Sequence, residues 1–187
     1  MVASLEVREE ALRKIGRNVV NFQKMEAMLK FLNSLQQIGG SAKHLEDADV
    51  SAKTSKLRKP MGQLAEEFLK SAYASSKAAP GPDVANGVAV SFSFRIEADS
   101  KLAAERKKAL RSVVAERNQL IHTWLGAFDP SSHESCASLI GALDAQHQNL
   151  KPELEAMSSL VSVIRDHMQY LASDEFESYF LGHIGGT

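Results

Sequence analysis

Three residues in the second half of the chain have types and a spacing that suit chemistry: Arg117, Asn118 and His122. Histidine alone has an unperturbed pKa near neutrality, so it can give or take a proton at physiological pH. A fixed guanidinium stabilises negative charge as it builds on phosphorane oxygens, and an amide can hold a hydroxyl or a phosphate in place. Such a set can cleave RNA without metal. The 2′-OH of the substrate is an internal nucleophile, which leaves only proton transfer and charge stabilisation to the protein.

These residues must be positioned by a helix. Apolar residues recur from Asp99-Ser100 to Phe128, where Asp129-Pro130 stops the pattern. On a straight wheel Leu110, Val114, Ile121, Trp124 and Phe128 share one seam, and Arg117 occupies the slot where that seam calls for another apolar side chain. Burying a guanidinium without a partner costs several kcal/mol, so Arg117 either meets a carboxylate or faces a wet cleft. Asn118 and His122 lie one turn apart on the adjacent flank, with Lys107, Lys108 and Arg111 further back. Those three cations are candidate RNA contacts, and equally a solvated face, because Glu105 and Glu116 lie among them. Arg117 and His122 stand about 140° apart on a straight helix, a separation that favours a composite site closed by a neighbouring helix or a second copy.

The remaining chain reads as a helical frame around this segment. Leu5 to Leu35 forms a long amphipathic helix ended by Gly39-Gly40, and Ser41 to Lys59 is a polar loop that turns basic. Pro60 suits the first turn of a second helix, carried by Met61, Leu64, Ala65, Phe68, Leu69 and Ala72 and ending near Ser75. Between about 76 and 98 lies an insertion in which Val88, Val90, Phe92, Phe94 and Ile96 alternate with small or polar residues, the period of a half-buried strand. Its partner is open: the Ser41 to Lys59 loop, the same strand of a second protomer, or a hairpin bent at Asn86-Gly87. Ser131 and Glu134 form a capping-box signature for a fourth helix. Pro152 either kinks that helix or starts a fifth, and a short turn through Phe176, Tyr179, Phe180 and Leu181 precedes the Gly-rich tail. The expected fold is all-α, an antiparallel helical bundle over residues 1–187 with a short strand or hairpin inserted between its second and third helices.

Composition narrows the functional classes. With 22 basic and 23 acidic residues the net charge is -1, so no global field draws in nucleic acid or an anionic membrane, and contact with RNA must be local. One cysteine, Cys136, excludes an internal disulfide and a Cys-based zinc module. His133 and Cys136 have a metal-like spacing but no second pair, so neither a metal nor another cofactor is expected. A charged, periodic beginning and the lack of a long apolar run point to a cytoplasmic protein with no membrane partner.

The hexapeptide Arg117-Asn118-Gln119-Leu120-Ile121-His122 resembles the R-x4-H signature of the HEPN superfamily, including the polar residue often found directly after the arginine. The helical organisation is similar across the chain, while only the hexapeptide is a motif. The resemblance implies a dimeric, metal-independent endoribonuclease, often the toxin of a toxin-antitoxin or phage-defence system. Arg117 and His122 of both protomers would line the cleft, with Asn118 in support. It also implies an RNA substrate and a cognate antitoxin protein as partners. In the branch paired with nucleotidyltransferase antitoxins, a tyrosine two residues after the histidine is modified; Trp124 stands there and cannot be adenylylated. The alternative is a noncatalytic helical protein that uses the same bundle to bind a partner or a nucleotide.

Overall fold

A computed structural model of the chain describes residues 2–35, 38–41, 59–73, 89–92, 94–171, 173–175 and 178. Among the described residues, which are predominantly α-helical, four helices are α1 (Leu5–Leu35), α2 (Met61–Ala72), α3 (Ser100–Gln119) and α4 (His133–Leu171). α3 continues through a π turn at Leu120–Trp124 into a last turn at Leu125–Ala127. The final turn expected around Phe176 to Leu181, most of the basic loop and residues 76–88 of the insertion lie outside the described residues.

α1 and α4 are the frame. Their buried residues repeat in threes and fours: Phe22, Met25, Leu29 and Leu32 on α1, and Cys136, Leu139, Leu143, Gln146 and Leu150 on α4. Such repeats bury one stripe of each helix along its length. The two helices run parallel. Ala3 N–H donates to the Ser131 carbonyl at 2.8 Å, Lys14 pairs with Asp144, Asn18 bonds Gln146, and the Arg165 guanidinium lies 5.2 Å from the Phe31 ring centroid. The residue numbers of these partners rise together from one end of the pair to the other. The antiparallel arrangement expected of the whole bundle is therefore corrected here, because the intervening chain, with α2 and α3, returns before α4 starts. It does hold for α3 against α4, where Arg106 meets Glu153 while Glu116 meets Gln146 and Asn149.

α2 buries Met61, Leu64, Ala65, Phe68, Leu69 and Ala72 on one face. Pro60 precedes its first turn, where a missing N–H has no cost. A Cβ placed on Gly62 would sit 3.4 Å from Val114, so α2 and α3 pack closely there. Asp99 caps α3 by accepting from Leu102 N–H at 2.7 Å. The cap of α4 is Ser132 rather than Ser131, since its hydroxyl faces Ser135 N–H at 3.3 Å while Ser131 turns back to Asp129. Pro152 lies inside an unbroken α4. It is exposed, on the side of the helix away from the core.

Two short strands pair antiparallel, β1 (Ile38–Ser41) with β2 (Ala89–Phe92), Ile38 opposite Phe92 and Ser41 opposite Ala89. β2 is shorter than the alternating run, and its partner is the Gly39-Gly40 segment expected only to stop α1. After β2, Ile96 N–H donates to the Ala72 carbonyl at 2.9 Å and ties the approach to α3 onto the end of α2.

Candidate functional site

The C-terminal half of α3 positions the candidate residues. Of the expected seam only Leu110 is buried; the other buried side chains, Val113 and Leu120, lie one position before the seam residues Val114 and Ile121, which with Trp124 and Phe128 are only half-buried. Helix α3 therefore rests on the bundle along one edge and leaves the row Ile121, Trp124, Phe128 partly open. Arg117 is half-buried beside that row. Among the described residues it has no carboxylate within ion-pair distance, and its NH1 donates to Asn118 Oδ1 at 3.2 Å. Of the two environments a seam arginine can have, this is the wet one.

The π turn changes the relation of Arg117 to His122. Leu120 N–H donates to both the Glu116 and Arg117 carbonyls, and Leu125 N–H reaches back five residues to the Leu120 carbonyl. A π turn takes roughly 4.4 residues, so each step turns less than in an α-helix. With ideal geometry, two α steps and three π steps correspond to a separation of about 90°, against about 140° on a straight α-helix. His122 is exposed within this turn, with no polar partner among the described residues. Asn118 is also exposed, and its Oδ1 accepts the bond from Arg117; among the described residues it has no bond to the imidazole.

The basic flank is less free than its sequence implies. Arg111 grips Glu66 of α2 through two bonds of 2.7 and 3.0 Å. That bond, and then the charges of Arg111, Lys70 and Lys107, hold the Glu66 carboxyl below the usual range. Lys107 is half-buried and Lys108 exposed, and neither pairs with an acid among the described residues. Lys59 of the basic loop pairs with Glu67 at 2.6 Å.

Behind Arg117 lies a polar network that the apolar repeats alone do not announce. Asn18, fully buried, donates to the Leu143 carbonyl at 2.9 Å and to Gln146 Oε1 at 3.0 Å. Gln146 Nε2 donates in turn to the Glu116 carbonyl at 2.9 Å. The Glu116 side chain accepts from Asn149 at 3.3 Å through Oε1, while its buried Oε2 has no partner among the described residues. Burial pushes this carboxyl above its ordinary pKa, and the Asn149 bond offsets part of the rise. A signal of it is nonetheless present in the sequence. Gln146 interrupts Leu143 and Leu150 at three- and four-residue steps, as Asn18 interrupts Ala11 and Phe22.

Among the described residues no group of three or more His, Cys, Asp or Glu side chains lies close enough together to hold a metal ion. Cys136 is buried, with Sγ 3.7 Å from the Pro130 carbonyl oxygen. No helix among the described residues is long and apolar enough to cross a membrane. No protein-family model, curated protein or solved structure matches this chain.

Proposed function

We propose that the chain is a metal-independent endoribonuclease of HEPN type, acting as a homodimer in the cytoplasm as the toxin of a toxin-antitoxin or phage-defence system. The observation that carries this reading is Arg117: half-buried, without a carboxylate partner among the described residues, and followed five residues later by an exposed His122 within a π turn. A guanidinium left unneutralised beside an imidazole suits a dianionic phosphorane flanked by two proton transfers. The substrate 2′-oxygen attacks phosphorus as its proton passes to one His122. The bond from phosphorus to the 5′-oxygen breaks as that oxygen takes a proton from the His122 of a second copy. The products are a 2′,3′-cyclic phosphate and a free 5′-hydroxyl. Arg117 stabilises the non-bridging oxygens, Asn118 holds the guanidinium in register, and Lys107 and Lys108 contact the flanking RNA backbone. The half-covered row of Ile121, Trp124 and Phe128 supports pairing of two α3 helices, which would bring the remaining 90° gap to a shared cleft. The same row favours the second reading, a noncatalytic protein that docks a partner there.

The test is cleavage of a labelled oligoribonucleotide by the purified protein in EDTA, with molar mass followed by light scattering. The expected result is cyclic-phosphate product from a dimer. Dependence on added metal, or full activity in a monomer at micromolar concentration, overturns the mechanism or the composite site respectively.

A further inference from the structure

Between the four helices lies a cavity of about 210 Å³. Its walls include Met25, Phe68, Leu110 and Met157, all close to fully buried, and its more exposed lining is Tyr73, Arg106 and Glu153. Arg106 lies eleven residues before Arg117, about 16 Å along α3, so this space is separate from the Arg117–His122 segment. Dry cavities of roughly 150 Å³ accept benzene, and this one has room for a ring and a few further atoms.

The polar groups around it are under-used. Arg106 NH1 and Glu153 Oε1 touch once, at 3.4 Å, whereas Arg111 on the same helix holds Glu66 through two short bonds. The other N–H groups of Arg106, the second oxygen of Glu153 and the Tyr73 hydroxyl have no hydrogen-bond partner among the described residues. Both charges line the same space, so a carboxylate ligand would meet Glu153 and an amine would meet Arg106. A neutral head that accepts at one atom and donates at the next satisfies both.

We propose that this cavity is a binding site for a small apolar molecule, one ring or a short alkyl chain, that ends in a neutral donor-acceptor head such as a carboxamide. The ring or chain lies against Met25, Phe68 and Met157. The carbonyl accepts from Arg106 or Tyr73, and the N–H donates to Glu153.

The experiment titrates the full-length protein, labelled with ¹³C at the methionine methyls, with benzamide as the probe and with benzoate, benzylamine and toluene as comparators. Benzamide shifts the Met25 and Met157 methyl signals, binds at least about 10-fold tighter than either charged analogue, and raises Tm by about 3–6 °C at ten times its Kd. Glu153→Gln narrows the preference for benzamide over benzoate, and Ala156→Leu, which puts a larger side chain at a residue lining the same space, removes the shifts. No movement of Met25 or Met157 at millimolar benzamide overturns the site. Toluene binding as tightly as benzamide overturns head recognition, and benzamide shifts that survive Ala156→Leu place the probe elsewhere. None of these outcomes depends on RNA cleavage, so the site stands or falls apart from the proposed activity.

Discussion

The α1–α4 seam and the C-terminal half of α3 each place a polar residue in an apolar repeat, and each resolves it differently. At the seam, Asn18 and Gln146 satisfy one another and the carbonyls of Leu143 and Glu116 inside the protein. On α3, Arg117 bonds only its neighbour's amide among the described residues and keeps its charge unneutralised beside partly open apolar surface. An interruption of the repeat therefore identifies an unusual position without giving its purpose. The purpose follows from whether the side chain's donors are used up within the fold. Used-up donors specify packing, and spare donors beside solvent are available to a substrate.

The largest effect that could break this contrast is on catalysis. His122→Ala and Arg117→Ala are expected to lower RNA cleavage about 100- to 10,000-fold, the range for removing a proton carrier or charge-stabilising donor. Tm should hardly move for His122→Ala, because the exposed ring bonds no described residue. Arg117→Lys keeps the charge and loses the planar fork, so its rate falls about 10- to 1000-fold. A His122 variant with near wild-type rate and an unchanged pH profile would assign the imidazole to structure and end the proposed mechanism.

The seam predicts the opposite pattern. Asn18→Ala strands a buried Gln146 oxygen, while the Leu143 carbonyl keeps its bond from Arg17 at 3.1 Å, at a cost of about 1–3 kcal/mol by urea unfolding. The cleavage rate of the folded protein should stay within a few-fold of wild type. Replacing Asn18 and Gln146 together by leucine removes both halves of the pair, and much of the stability should return. If the double variant is less stable than Asn18→Ala, the network does more than satisfy itself.

Much of this contrast is readable in the sequence, and the rest is not for specific reasons. Helix starts follow local chemistry, as Pro60 before α2 and the Asp99 cap of α3 demonstrate. The boundaries of α1 and the stop at Asp129-Pro130 are equally local. The β1–β2 pair is a backbone interaction with a Gly-Gly segment, which offers no side-chain pattern to read. The parallel course of α1 and α4 depends on how the long intervening chain returns, a tertiary property. Which stripe of α3 turns inward is also tertiary: the wheel favours Val114 and Ile121, whereas the fold buries Val113 and Leu120 beside Leu110, all at helical spacing. The π turn that follows Gln119 has no signal in a 3.6-residue pattern.

A smaller effect tests the basic flank. Lys107→Gln with Lys108→Gln should weaken RNA binding a few-fold and reduce the salt slope of log K by about 1 for each phosphate no longer neutralised. Arg111→Gln should change binding less than either lysine, since Glu66 already occupies both arms of its guanidinium. A larger salt effect for Arg111→Gln would mean that the Glu66 pair opens to admit RNA.

The smallest effect concerns Glu116, which joins the two regions: its carbonyl takes the last bond of the seam network, and Arg117 follows it in the chain. Burial raises its folded-state pKa above the value near 4.3 expected of an unfolded glutamate. Below that unfolded value both states are protonated and the residue is neutral to stability. As pH rises toward the folded pKa, the unfolded chain releases its proton first, so stability falls; above the folded pKa the penalty is complete. Glu116→Gln cannot ionise and still offers Asn149 an oxygen. It should unfold at slightly higher urea than wild type at pH 7, and the difference should vanish near pH 4. The backbone carbonyl that receives Gln146 is untouched, so cleavage should remain within about 3-fold of wild type, well short of the drop expected when a proton carrier is removed. A Glu116→Gln variant as inactive as His122→Ala would move the boundary between frame and site one residue toward the core, and make the unpartnered Oε2 oxygen part of the chemistry.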